Sequence, residues 1–283
     1  LKARFLWNRR TDQDLQTSIR YFQKAIDADP NYASPYVGVA DCYLTLMDDG
    51  HLSLEKAAAE ARPLLAKALD LDETLGEAHV SLGHCLFHEF DWATAEREFL
   101  RAIELNPSYY IARHYYSNYL VATSRFEEAI AEAEEATRLD PVSPAPQSNL
   151  SSILWHSRRF DRAVAEAEKA LELNRDYARG FEYLGRAREQ AGAVEGAIEA
   201  FQTSLSIEEA QGTRASLAYA YTLAGRRDEA TKILRQLEET AQSSFVSAYS
   251  FALIHLGLGH IDEAFTWLDK AYDERSSALP LLN

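Results

Sequence analysis

Alanine returns every 34 residues at Ala61, Ala95, Ala129, Ala163 and Ala197, and after one step of 33 at Ala230 and Ala264. A second ladder, Ala68, Ala102, Ala136 and Ala170, runs at the same period seven residues downstream. Pro107 and Pro141 are also 34 apart. Two small-residue ladders in phase mark an internal repeat, and a repeat decides the fold before any single segment does. Where two helices cross closely only a methyl group fits. A larger side chain would overpack the crossing at roughly 1–3 kcal/mol.

The same period places Gly192, Gly225 and Gly259 at one repeat position, between the two helices of a pair. Glycine ends a helix there because it accepts the left-handed conformation. Pro30, Pro107 and Pro141 close the second helix and start the next repeat. The chain reads as a single array over 1–283, in units 1–32 (truncated), 33–75, 76–109, 110–143, 144–177, 178–210, 211–244 and 245–278, with 279–283 as a remnant. The second unit is nine residues longer, with the excess at Leu46 to Leu54, and Pro63 suits the first turn of the helix that follows. Ser204 replaces the second-ladder alanine and Glu209 the proline, so 208–213 reads as a bend or joint.

These alanines, glycines and prolines resemble the tetratricopeptide repeat. The resemblance covers the whole chain and implies an all-α fold, an α-α superhelix (solenoid) of about eight helix pairs. The first helix of each pair is expected to line a concave groove. The opening LKARFLWNRRT, the stretch FDWATAEREFLRAIELNPSY, the run RHYYSNYLVATSRFEEAIAEAEEATRLDP and the ending LGHIDEAFTWLDKAYDERS resemble one bacterial subgroup. There the array sits at the C-terminus of winged-helix transcriptional regulators or serine/threonine protein kinases. The resemblance implies a sensory or docking module in signalling or transcription regulation, without naming the output domain.

Composition narrows the function. A net charge of −15 repels phosphate backbones and anionic membranes, so no direct nucleic-acid or membrane binding by this segment is expected. The start is locally basic: Lys2, Arg4, Arg9, Arg10, Arg20 and Lys24 outweigh Asp12 and Asp14. With Leu rather than Met in first place, that end reads as a junction in a longer polypeptide. Cys42 and Cys85 hold equivalent positions in successive repeats, about 10 Å apart as packed helices are, beyond disulfide reach. Two free thiols fit a reducing compartment, and the expected location is the cytoplasm. No phosphate loop, metalloprotease motif or nucleophile elbow is present, so no enzyme, catalytic residue or cofactor is expected. Acidic pairs such as Glu127 and Glu128 belong to exposed helix starts.

Partner-binding residues are read from the positions that point inward on each first helix: His84, His88, His114, Tyr115, Asn118, Asn149, Trp155, Arg179, Tyr183, Arg186 and Tyr219. The same rule includes Val80, Ser81, Phe87, Ile111, Val121, Ser148, Ser152, His156, Glu182, Glu189 and Tyr249. Tyr, Trp and Arg are the types that carry binding energy. His114, Asn118, Asn149 and Arg179 match four slots of the clamp with which tetratricopeptide co-chaperones hold a C-terminal carboxylate. Tyr183 stands at the fifth, where a cation belongs. An extended or helical peptide without such a clamp, or no groove ligand, remain alternatives. His84 and His88, four apart, have the spacing of a metal pair, with His114 as a third ligand. No carboxylate or cysteine completes that shell in the sequence, so no metal is expected and the histidines are read as groove lining.

The leading expectation is a non-catalytic scaffold that binds a protein or peptide in the groove. Self-assembly into a homodimer through Trp267, Tyr272, Leu279, Leu281 and Leu282 is a second. A small-molecule sensor with an aromatic pocket of Trp155, Tyr115 and Tyr183 is a third.

Overall fold

The structure, a computed structural model, describes residues 1–9 and 11–281. Arg10 of the basic cluster and Leu282 of the proposed dimer surface lie outside the described residues. No strand occurs among those described. The fold class is all-α, of the α-α solenoid type.

The chain divides into two compact units, Leu1–Tyr116 and Ser117–Asn283. The division falls inside a helix rather than at 208–213. In the first unit lie α1 (Lys2–Arg9), α2 (Asp12–Ala28), α3 (Ala33–Asp48), α4 (Leu54–Leu71), α5 (Gly76–His88), α6 (Trp92–Leu105) and the start of α7 (Tyr110–Ala122). The second holds the end of α7, then α8 (Phe126–Leu139), α9 (Pro144–His156), α10 (Phe160–Leu173), α11 (Ala178–Gln190) and α12 (Val194–Ile207). It continues through α13 (Gln211–Leu223), α14 (Arg227–Thr240), α15 (Ala248–Gly257) and α16 (Ile261–Asp273), with a 3-10 turn at Leu279–Leu281.

Why each helix stops is visible in the turns. Phe90, Ser124, Arg158, Gly192, Gly225 and Gly259 all have positive φ, from 58° to 83°. Each sits where a chain that must reverse needs the left-handed conformation. The next amide then closes the motif: Arg125 donates to the Leu120 carbonyl and Arg159 to that of Leu154, both at 2.8 Å. Gly50, with φ of 75°, turns the chain the same way between α3 and α4, so of these seven described turns four carry glycine and three do not. At the far end of the pair the chain is turned by an Asx contact. The Asp72 carboxylate accepts from the Thr74 amide at 2.9 Å, and the Asn174 side chain accepts from that of Asp176 at 3.0 Å.

The ladders then set the packing. Ala61, Ala95, Ala129, Ala163, Ala197 and Ala230 are fully buried, as are Ala68, Ala102, Ala136 and Ala170. Ser204, the exception, is also buried, and its hydroxyl donates to the Ala178 carbonyl at 2.9 Å. A polar atom at an alanine site is thus satisfied rather than stranded. Opposite the small residues stand large ones: Phe99 fills the space left by Gly83 and Phe201 that left by Gly185. Burying one such ring contributes roughly 1.5–3 kcal/mol.

Pro63 corrects an expectation. It lies inside α4, not in its first turn. The helix begins at Leu54 because Ser53 caps it. The ring costs the Ala59 carbonyl its helical donor. Pro63 and Ala59 are both exposed, so water can satisfy that carbonyl. The extra length of this stretch enters the helices: α3 has 16 residues and α4 has 18, against 13 and 14 in α5 and α6.

Within each unit the substantial contacts join helices no more than two places apart in order. In the first unit α3 touches α5; in the second α9, α11, α13 and α15 form a continuous row. First helices therefore line up side by side, which positions the residues considered next.

Candidate functional site

In the first unit the longer α3 brings a carboxylate to the histidines. Asp48, in its last turn, places Oδ1 3.2 Å from His84 Nε2 and 3.5 Å from His88 Nε2. The two Nε2 atoms are 3.2 Å apart. Both histidines are buried, at 4% and 5% exposure. Burial alone would raise the Asp48 carboxyl, but the facing imidazoles hold it well below the usual carboxylate range. His88 is lowered, first by burial and then by the neighbouring His84. The His84 ring lies 4.2 Å from that of Tyr115, which packs in turn on His114 at 5.1 Å. A small cavity beside His84 is lined by Trp7, Asp41, Thr45, Tyr109 and Tyr115. At its edge Arg4 pairs with Asp41 at 2.8 Å, and the Trp7 indole donates to Thr45 at 3.1 Å.

Two expectations change here. His84 and His88 are enclosed rather than spread along an open face, because Asp48 and Tyr115 cover them. Nor is the histidine pair left without a carboxylate, since Asp48 supplies one. Its signal was the excess length of the second repeat, which carries Asp48 past the point where the other first helices stop. Cys85 stays apart from this chemistry: burial, then Glu89, push its thiol up to about 12. A thiol so placed is inert.

The second unit gathers a different group on the row of first helices. Trp155 of α9 donates its indole N–H to the Arg186 carbonyl of α11 at 3.1 Å. The Arg186 guanidinium pairs with Glu182 at 2.7 Å, while its Nε is buried without a partner. Burial pushes the Glu189 carboxyl up to about 7, against the opposing pull of Gln190 and Arg186. His156 is pushed down to about 4 by burial and by Arg186. Tyr249 of α15 is raised by burial and, secondarily, by Glu189 and Tyr219, with Arg186 opposing. Tyr219 of α13 is raised by burial and then by Glu189. Four successive first helices thus place one guanidinium, one partly desolvated carboxyl and several aromatic rings in mutual electrostatic reach. Trp155, Tyr183, Arg186, Glu189, Tyr219 and Tyr249 are all half-buried, a rim between core and solvent.

The clamp residues fare differently. His114 belongs to the first unit, and Asn118, Asn149, Arg179 and Tyr183 to the second. Asn149 is buried, and its amide donates to the Ser117 hydroxyl at 2.9 Å, so it braces the preceding first helix. Asn118 and Arg179 are half-buried. Val80, Phe87 and Val121, expected to face inward, are core at 2%, 4% and 0% exposure. Their apolar side chains turn into the helix packing, where the transfer energy lies. Ser148 and Ser152 are buried beside them.

No helix among the described residues is long and apolar enough to cross a membrane. A sequence model of the Tetratricopeptide repeat family matches residues 89–144 and 149–212. The Transcriptional regulator HilA of Salmonella typhimurium is 26% identical over 145 residues, which is 51% of this chain and 26% of the regulator. The chain therefore matches about a quarter of the length of those curated relatives. Among solved structures, a thermophilic TPR protein of Thermus thermophilus is 18% identical with a TM-score of 0.56, over 69% of this chain and 97% of that one. The human IFIT1 dimer with m7Gppp-AAAA is 16% identical with a TM-score of 0.70, over 93% of this chain and 68% of that one. At these identities the structures speak for the fold alone. Residues 89–144 and 149–212 thus carry tetratricopeptide-repeat sequence, and the helix pairs stacked in order, with the solved neighbours, give the chain the fold of such repeats.

Proposed function

We propose that the chain is a non-catalytic docking module that binds a protein or peptide along the first helices of its second unit. The observation that supports this most is the rim of Trp155, Tyr183, Arg186, Glu189, Tyr219 and Tyr249. It draws on α9, α11, α13 and α15, and binding hot spots are enriched in these residue types. The buried Arg186 Nε has no acceptor among the described residues. A partner carboxylate that reaches the half-buried guanidinium would add a charge-assisted bond of roughly 1.5–3 kcal/mol. The engaged Asn149 argues against the carboxylate clamp and for a peptide held by side-chain packing.

The relationship to a transcriptional regulator supports a place in bacterial signalling, with the array sensing or docking for an output domain. The buried cysteine Cys85, its thiol pushed up to about 12, supports a reducing, cytoplasmic setting. The charge of −15 supports a protein rather than a nucleic-acid partner for this segment.

Photo-crosslinking in the native host tests the reading. A photoreactive phenylalanine at Tyr183 or Tyr219 should capture a discrete partner, and one at exposed Arg138 on α8 should not. Crosslinks from Arg138 equal to those from the rim would refute it.

One observation favours self-assembly as a second reading. Ile261, Phe265 and Tyr272 on α16 are 48%, 63% and 67% exposed. Their spacing puts them on one helix face, an exposed apolar stripe that a second copy of the chain would cover. Trp267 is already occupied, stacked on Phe251 at 4.4 Å. Light scattering at tens of micromolar separates the readings: a dimer that Phe265→Glu dissolves supports the second.

A further inference from the structure

Three ligand-type atoms of the first unit converge on one point. Asp48 Oδ1, His84 Nε2 and His88 Nε2 stand 3.2, 3.5 and 3.2 Å from one another. Metal bonds of about 2.0–2.1 Å at tetrahedral angles put donor atoms about 3.3–3.4 Å apart, whereas the same bonds on an octahedral face put them about 2.9 Å apart. The observed edges match the tetrahedron. The circle through the three atoms has a radius of about 1.9 Å, which is what one face of a zinc tetrahedron requires.

Protons alone satisfy this arrangement poorly. Suppose His84 Nε2 carries a proton. It can be aimed at Asp48 or at His88, and the remaining contact is then lone pair against lone pair. With His88 Nε2 protonated as well, both rings can donate to Asp48 Oδ1, at 3.2 and 3.5 Å, but the two N–H dipoles then lie side by side with their nitrogens 3.2 Å apart. The second ring nitrogen of His88, Nδ1, is buried with no partner, so neither tautomer of that ring is fully bonded. A cation at the centre engages all three lone pairs at once. His88 Nδ1–H then still lacks an acceptor, so that ligand has no outer support.

We propose that Asp48, His84 and His88 bind one divalent ion of the zinc class, with the fourth position open. Two imidazoles and one carboxylate are a borderline N/O donor set, which suits Zn2+. Histidines four apart on α5 present both nitrogens on one face. The carboxylate comes from α3, so the ion fastens the last turn of one first helix to the next. Among the described residues no other group of three His, Cys, Asp or Glu has converging ligand atoms. In the other close histidine pair, His255 is half-buried and His260 exposed.

The test uses the tag-free chain stripped with chelator, then dialysed against Zn2+. Expected are one zinc per chain by elemental analysis and a thermal midpoint raised by added Zn2+. Co2+ should give the intense visible absorption of a tetrahedral site. Asp48→Asn and His88→Gln should each weaken binding roughly tenfold or more, while His255→Gln leaves the stoichiometry at one. Should a variant fail to fold, the Co2+ spectrum of the unaltered chain decides: a weak octahedral spectrum overturns the proposal. Zinc retained by folded Asp48→Asn at unchanged affinity overturns it too, as does less than a tenth of an equivalent in the unaltered chain.

Discussion

Replacing Gly185 with alanine sets two effects of opposite sign against each other. A Cβ added at Gly185 would stand 2.6 Å from Phe201 Cε1 and 2.7 Å from Cδ1, where ordinary contact begins near 3.4 Å. The ring has nowhere to go, because Phe201 is fully buried in a core with Ala197, Ala215 and Ala218. Overpacking of that depth falls at the upper end of about 1–3 kcal/mol. Alanine in a helix interior returns about 1 kcal/mol of helix propensity. The net expectation is a loss of about 1–2 kcal/mol in urea unfolding followed by helical dichroism. Gly212→Ala serves as the control, since nothing lies within 4 Å of its Cβ. It should leave stability unchanged or raise it by up to about 1 kcal/mol. Adding Phe201→Leu to Gly185→Ala should cost less than the sum of the two single changes, a coupling of about 1 kcal/mol. If Gly185→Ala stabilises as Gly212→Ala does, the account of small residues facing large ones is wrong.

Three further outcomes follow from particular side chains. The Glu189 carboxyl is raised from 4.5 to about 7, so the folded chain holds its proton more tightly than the unfolded one. Stability from this group is greatest below pH 4.5 and lost as pH rises through 7; Glu189→Gln should therefore gain about 1–2 kcal/mol over the parent at pH 8 and nothing at pH 4.5. Ser124 is exposed with φ of 59°, and Ser124→Gly should raise the unfolding midpoint by the equivalent of about 0.5–1 kcal/mol. Pro63→Ala restores a donor to the Ala59 carbonyl, and after the loss of proline's rigidity in the unfolded chain it should gain about 1–2 kcal/mol. No gain would mean that α4 is already adapted to the ring.

The alanine ladders made the fold class legible because a crossing helix tolerates nothing larger, and that constraint is written one residue at a time. The turns were half legible: glycine announces a left-handed residue, but Phe90, Ser124 and Arg158 adopt it with no such sign. Which inner residues meet solvent was the hardest to read. Val80 and Val121 share the inward helix face with His84 and Asn118, and a rotation of a few tens of degrees decides between core and rim. Asp48 was missed because its place depends on how far α3 outruns its neighbours, a length effect that the repeat period conceals. Arg186 and Glu189 were assigned to the inner face from position alone. Their mutual influence with Tyr219 and Tyr249 needs the stacking of three first helices to be seen.

Among the described residues the substantial contacts within each unit reach only to the second helix along, so each helix pair leans mainly on its neighbours. Folding in such a chain can begin at any pair and spread outward like a zipper. Drawn out by its ends, the array should lengthen in discrete steps, each surrendering a pair of helices. A partner lying across α9 to α15 would fuse those steps into one, so that occupancy could be read as resistance to stretching.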